Sequence, residues 1–126
     1  MTDLNNRRFS DTHVWVRQVD DHLLLGITDY AQNALGTLEA IVLPEIGARI
    51  EQGQVCGCLE SLKTVSDLIA PLNATVSAHN PDVAGDPTLV NDHPYEAGWL
   101  LELRDYAADA YTALLDVDGY QQLIAN

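Results

Sequence analysis

Short runs of apolar residues, separated by turn-forming residues, occupy most of the chain. Residues 13–19 alternate loosely between apolar and polar, Asp20-Asp21 supplies a turn, and residues 22–27 form a second apolar run. Two such runs joined by a short polar turn predict a β-hairpin. Similar runs bounded by glycine, proline or asparagine predict further strands at 38–43, 48–50, 55–62, 65–69, 74–78 and 99–103.

Two segments have helical character. Thr28 or Asp29 can cap a short helix over residues 30–35, and Gly36 offers the positive φ that ends it. After residue 105, apolar residues recur near the helical period, which predicts one or two helices packed on the sheet. The stretch 80–94 contains three prolines and a glycine, so it is predicted to be mostly loop with room for one turn of helix.

Many short strands separated by turns favour a mainly β fold, either a sandwich or a flattened barrel. A chain of 126 residues, 47% of them hydrophobic, fits one domain with a modest core and excludes a disordered protein. We expect a single domain over residues 1–126. Its β-rich core covers about 9–103, and its C-terminal helical segment covers 105–126.

The formal net charge is −13. Nucleic acid and anionic membrane surfaces would repel such a molecule, whereas a partner with a basic docking face would attract it, less strongly as salt rises. The longest apolar run, Ala40-Ile41-Val42-Leu43, is far too short to span a bilayer. The first eight residues lack the apolar core of a secretory signal. We therefore expect a cytoplasmic protein.

Lys63 is the only lysine, and it lies between the two runs that predict a hairpin at 55–69. Lysine is normally among the commonest residues of soluble proteins. A single primary amine at a hairpin tip is a geometry that a modifying enzyme can grip, so Lys63 is interpreted as the attachment point of a covalent arm. A lysine with a pKa of about 10.4 is almost fully protonated at pH 7, so attachment requires an enzyme.

Motifs spread along the chain resemble, in the same order, those of the glycine cleavage system H-protein family. They are Thr12-His13-Val14-Trp15-Val16, Gly26-Ile27-Thr28-Asp29-Tyr30-Ala31-Gln32, Leu43-Pro44-Glu45, Glu60-Ser61-Leu62-Lys63, Leu89-Val90-Asn91, Pro94-Tyr95 and Gly98-Trp99-Leu100. The resemblance implies a barrel-sandwich hybrid, a flattened two-sheet fold of the lipoyl-domain kind. A short helix would follow the first hairpin, and helices would form the C-terminus.

The resemblance also implies lipoic acid in amide linkage to Lys63 and a carrier without catalytic activity of its own. The carrier would move an aminomethyl group from glycine decarboxylase, a pyridoxal-phosphate enzyme, to aminomethyltransferase. It would be reoxidised by dihydrolipoamide dehydrogenase and modified by a lipoyl ligase or octanoyltransferase. A freely diffusing monomer suits such a shuttle. Glu60 is interpreted as a recognition residue for the modifying enzyme, and Asp67 and Thr12 as residues that position the arm. The alternative for Glu60 and Asp67 is that each is a solvated surface carboxylate without a specific role.

Val14 departs from the family pattern, in which glutamate usually stands between the histidine and the tryptophan of the first strand. That glutamate is expected to help hold the loaded arm together with the residues matching Thr12 and Asp67. Its absence leaves open an H-like paralogue, either a lipoyl donor to other proteins or a lipoyl carrier in another pathway such as sulfur metabolism.

Other functions fit the residues less well. A biotin carrier shares the hairpin lysine but has methionine on both sides of it, where this chain has Leu62 and Thr64. A hydrolase lacks support because no Gly-x-Ser-x-Gly elbow is present, and the four histidines are scattered. Cys56 and Cys58 have no further ligands at suitable spacing, so no metal site is predicted and both are expected to be buried as small hydrophobes.

Overall fold

The structure, a computed structural model, describes residues 3–125 as nine strands and five short helices. The strands are β1 (Arg7–Phe9), β2 (Val14–Val19), β3 (His22–Ile27), β4 (Leu38–Val42), β5 (Arg49–Ile50), β6 (Val55–Ser61), β7 (Val65–Ile69), β8 (Ala74–His79) and β9 (Leu101–Arg104). The helices are α1 (Asp29–Leu35), α2 (Pro81–Gly85), α3 (Thr88–Asp92), α4 (Ala108–Thr112) and α5 (Val117–Ala125).

These strands form two antiparallel sheets. The larger sheet has the order β1-β2-β3-β9-β8-β5, and the smaller has the order β4-β6-β7. Strands β2 and β3 form the predicted first hairpin, and Asp20 at its tip adopts a positive φ of 54°. Strands β6 and β7 form the predicted lysine hairpin. The expected mainly β fold with two sheets is thus confirmed.

Residues on the inner faces of both sheets form the core. Its buried members come from every strand except β1, and they pack with Leu35 of α1 and with residues of α2 and α3. Phe9, Trp15 and Tyr120 form a second cluster, in which the Phe9 and Tyr120 rings stack with their centroids 4.7 Å apart. This cluster attaches α5 to the larger sheet, as the prediction of C-terminal helices packed on a sheet requires.

The first α-helix, Asp29–Leu35, begins one residue before the predicted range 30–35, ends where predicted and has the predicted caps. The Thr28 side chain accepts a hydrogen bond from the Ala31 N–H, and Gly36 ends the helix with a φ of 82°. Most L-residues avoid positive φ because of Cβ clashes, so glycine suits this end of the helix. Gly36 N–H donates to the Gln32 carbonyl at 2.9 Å.

The elements differ from the predicted ones in three main respects, besides strand ends that shift by one residue. β1 was not predicted, the stretch 80–94 contains the two helices α2 and α3, and the last strand begins at Leu101 rather than at residue 99. Asn80 followed by Pro81 is an N-cap followed by a favoured first helical residue, and the Asn80 side chain accepts a hydrogen bond from the Asp82 N–H. Pro81 therefore begins a helix, and Pro87 directly precedes α3.

Strand β1 was missed because it begins with two arginines. Arg7 is buried, and its guanidinium lies over the Trp15 ring, 4.8 Å from the ring centroid. The same group donates hydrogen bonds to the Asp3 and Tyr95 carbonyls. Burial lowers the pKa of Arg7, while Glu96 opposes that effect. Within residues 3–125, no helix is long and apolar enough to cross a membrane.

Candidate functional site

Lys63 lies where the hairpin prediction placed it, exposed in the turn 62–64 between β6 and β7. The buried Ser61 organises this turn. Its Oγ accepts hydrogen bonds from the backbone N–H groups of Lys63 and Thr64, at 3.3 and 3.1 Å, and donates to the Thr64 carbonyl. Side chains of this kind commonly bond to nearby backbone in turns. The turn is therefore held by a side chain that the sequence analysis did not single out.

The connection between α1 and β4 supports the lysine from below. The Leu62 N–H donates to the Thr37 carbonyl at 3.1 Å. A Cβ built on Gly36 would lie 3.3 Å from the Lys63 Cε and 3.8 Å from its Nζ. The aliphatic part of the lysine side chain therefore rests over a residue that has no side chain of its own.

Replacement of Ser61 by alanine is expected to loosen the lysine turn without unfolding the domain. The variant loses hydrogen bonds to two N–H groups of a solvent-exposed turn, each with an ordinary net value of about 1 kcal/mol. We expect the free energy of unfolding to fall by about 1–2 kcal/mol, as measured by urea denaturation. Unchanged amide exchange at Lys63 and Thr64 would contradict this role of Ser61.

A cleft of about 280 Å³ opens beside the hairpin and begins one residue after Lys63. It lies between β7, which is an edge strand of the smaller sheet, and the start of β2 with α1. Most of its lining is apolar and includes Val14, Ile27, Ala31, Leu35, Leu59 and Leu68. An apolar cleft with a few polar groups is the usual form of a site for a small organic ligand.

The cleft brings together two of the predicted site residues and leaves a third outside. Thr12 and Asp67 both line it, although Thr12 precedes β2 and Asp67 lies within β7. Thr12 Oγ1 shares a hydrogen bond of 2.9 Å with Ser10 Oγ. Glu60 pairs with Val65 on the hairpin and is exposed, but it does not line the cleft.

Val14 lines the same cleft and, unlike a glutamate at this position, contributes no charge to it. The side chain is 2% exposed and belongs to the core as well as to the cleft wall. Asp67 is the only carboxylate among the described residues that line the cleft. The cleft therefore provides one negative charge for a cationic group where a glutamate at position 14 would provide a second.

His13 connects the cleft to the C-terminal helix through contacts that the sequence did not reveal. Its Nδ1 lies 2.8 Å from the Tyr120 hydroxyl, which in turn lies 2.7 Å from Thr28 Oγ1, the N-cap of α1. The His13 ring also stacks on Tyr30, with ring centroids 4.5 Å apart. Burial raises the pKa of the Tyr120 hydroxyl to about 12, so this hydroxyl keeps its proton at neutral pH. His13 and Tyr120 are 107 positions apart in the chain, so no local sequence pattern indicates their contact.

The pKa of His13 is lowered from its ordinary value, chiefly by burial and against the opposing charge of Asp11. Above a pH of about 6.5, both the folded and the unfolded His13 are neutral. As pH falls below that value, the unfolded state binds the proton first, so stability is lost until the folded pKa is passed. We expect urea denaturation to show less loss of stability between pH 6.5 and 5 in His13→Gln than in the unsubstituted protein. Equal losses in the two proteins would contradict the shift.

The two cysteines are free thiols and only half-buried, so the prediction that both would be buried was wrong. Gly57 between them lies at an irregularity in the pairing of β6 with β7, which disturbs simple strand alternation. Burial raises the pKa of the Cys56 thiol to about 11. A thiol of this kind is a poor nucleophile at neutral pH.

Comparison with known proteins identifies the family. The model of the glycine cleavage H-protein family matches residues 7–126. The chain belongs to this family. It is 49% identical to the glycine cleavage system H protein of Mycobacterium avium (strain 104) over 118 residues, which cover 90% of this chain and 89% of that one. It is 41% identical to the H protein of Legionella pneumophila (strain Corby) over 122 residues, which cover 97% and 98% of the two chains.

A solved structure agrees with this assignment. The crystal structure of a glycine cleavage system H protein from Mycobacterium marinum superposes with a TM-score of 0.86 at 32% identity, covering 97% of this chain and 98% of that one. Members of the glycine cleavage H-protein family are the lipoyl carriers of that system, and this chain is one of them. The likenesses do not favour the alternatives of a carrier for another pathway or a biotin carrier.

Proposed function

We propose that Lys63 carries lipoic acid in amide linkage and that the whole chain, 1–126, acts as one non-catalytic carrier domain. The observation that carries this proposal is the exposed Lys63 in a turn held by Ser61, one residue before Thr64, which lines an apolar cleft. The residues present fit the group, because the amine is accessible for acylation and the cleft offers apolar walls to a hydrocarbon chain. When attached, lipoic acid supplies a dithiolane that can accept an aminomethyl group on sulfur.

The chain's own residues would present the arm and shelter it. Asp67 would attract a cationic aminomethyl group by its opposite charge, and Thr12 would offer a hydroxyl on the opposite wall of the cleft. Glu60 would contact the lipoyl ligase or octanoyltransferase, because it is exposed near the lysine turn but outside the cleft. These roles need side chains that bind and orient and no catalytic group of the carrier.

The partners in this proposal are glycine decarboxylase, aminomethyltransferase and dihydrolipoamide dehydrogenase, encountered in the cytoplasm by a monomeric carrier. The net charge of −13 would steer the carrier to basic docking faces on these enzymes. Because the lysine tethers the cargo, each docking event raises the local concentration of cargo at an active site. Because this steering is electrostatic, the rates of association with the three enzymes should fall as the ionic strength rises.

The intact mass of the protein from its native cell, followed by mapping of the peptide that contains residue 63, tests the proposal. A lipoyl or octanoyl increment on that peptide supports it. A biotin increment would assign the protein to carboxyl transfer instead. An unmodified mass in cells supplied with lipoate would contradict a carrier role for Lys63.

A further inference from the structure

Asn91 of α3 makes three hydrogen bonds to residues 32–38, which run from α1 into the first residue of β4. Its Oδ1 accepts from the Leu38 N–H at 2.9 Å, and its Nδ2 donates to the Gly36 carbonyl at 2.8 Å. The same Nδ2 donates to Gln32 Oε1 at 3.1 Å. One side chain thus bonds to the backbone on both sides of Thr37.

The segment that Asn91 holds is also the segment on which the lysine turn rests. Between the two bonded positions, the Thr37 carbonyl accepts the Leu62 N–H, and Gly36 lies directly under the Lys63 side chain. The turn itself has little packing of its own, since Leu62 is 69% exposed. Its orientation therefore depends on the backbone beneath it.

We propose that residues 36–38, fixed by Asn91, form a platform that positions Lys63 for the enzyme that attaches the arm. This platform is a positioning device, because Asn91 bonds to Gly36 and Leu38 and acts on the lysine through them. The inference rests on the proposed modification of Lys63. Fixing the amine in one orientation removes part of the entropy that a modifying enzyme would otherwise have to restrict in its transition state.

Asn80 provides a matched control for a merely structural role. It is also an asparagine with three side-chain hydrogen bonds, donating to the Ala97 and Trp99 carbonyls at 2.7 and 2.8 Å and accepting from the Asp82 N–H at 3.1 Å. None of these partners belongs to the platform or to the lysine turn. Loss of either asparagine should therefore destabilise the fold, but only loss of Asn91 should affect the lysine.

The test compares Asn91→Ala with Asn80→Ala at a temperature where both proteins are folded. A purified lipoate–protein ligase with ATP and free lipoate modifies each apo protein, and mass spectrometry follows the increment on Lys63. We expect kcat/KM for lipoylation to fall about tenfold for Asn91→Ala, because the net free energy of about one hydrogen bond no longer positions the lysine. For Asn80→Ala we expect kcat/KM to fall by less than about twofold. Amide exchange of Leu62, measured by NMR without any lipoate, should accelerate about tenfold in Asn91→Ala alone.

Asn91→Asp provides a second variant if the alanine protein does not fold. It keeps the acceptor for the Leu38 N–H and replaces the donor to Gly36 with a carboxylate oxygen, so we expect the same slowing. Equal rates for the Asn91 and Asn80 variants, with equal Leu62 exchange, would overturn the platform. If the unsubstituted protein takes no lipoate, the proposed function fails, and the Leu62 exchange alone decides whether the platform holds the turn.

Discussion

Replacement of Lys63 by arginine is expected to abolish carrier activity and leave the fold intact. Arginine keeps the positive charge and much of the length, but its guanidinium stays protonated and does not form the amide. Because Lys63 is exposed, the substitution should change the free energy of unfolding by less than about 0.5 kcal/mol. With no lipoyl increment, CO₂ release from glycine in a reconstituted system should fall to the level without carrier.

A second lysine placed elsewhere separates the need for an amine from the need for the hairpin. Arg49→Lys in the Lys63→Arg background puts an exposed amine on β5, in the other sheet from the lysine hairpin. We expect this double variant to remain unmodified. Lipoylation at position 49 would show that the modifying enzyme accepts an exposed amine outside the hairpin. The interpretation of the hairpin as its recognition element would then be wrong.

The features predicted well from sequence are those whose causes are local. Alternation and turn residues located both hairpins, and the Thr28 cap and Gly36 fixed the ends of α1. The place of Lys63 at a turn followed from the apolar runs on either side of it. Each of these depends on residues within a few positions of one another, so the pattern alone specified them.

The features missed depend on contacts between distant parts of the chain. Two arginines at the start of β1 are typical of a solvent-exposed segment. Only the fold shows that the Arg7 guanidinium lies over the Trp15 ring. The bonds from Asn91 to the α1–β4 connection and from Tyr120 to His13 join residues more than fifty positions apart. Such side chains look ordinary in sequence because their role is set by the fold around them.

The composition of the cleft combines both kinds of information. The family resemblance assigns Val14 to a position where the family pattern usually has glutamate, and the structure places Val14 in the lining of the same cleft as Asp67. An aminomethyl group on this carrier would therefore meet one carboxylate. Attraction of a cation by a single exposed carboxylate is modest and weakens with salt.

Replacement of Val14 by glutamate is expected to protect the loaded carrier and weaken the fold. A carboxylate at this 2% exposed position is costly to bury, so we expect a loss of about 1–3 kcal/mol in the free energy of unfolding. Burial and the nearby Asp67 both favour the neutral acid in the empty cleft, whereas a cation between them favours the charged form. The new charge would then appear mainly when the carrier is loaded.

Release of ammonia and formaldehyde from the loaded carrier measures that protection. We expect release from Val14→Glu to be about tenfold slower than from the unsubstituted protein, corresponding to about 1.4 kcal/mol of added attraction. Val14→Gln has the same shape without the charge, so it should share the loss of stability and release its cargo at the original rate. Equal release from the glutamate and glutamine variants would show that Val14 does not limit retention. The apolar walls and Asp67 would then account for whatever protection the cleft gives, because the charge at position 14 would have been shown to add nothing.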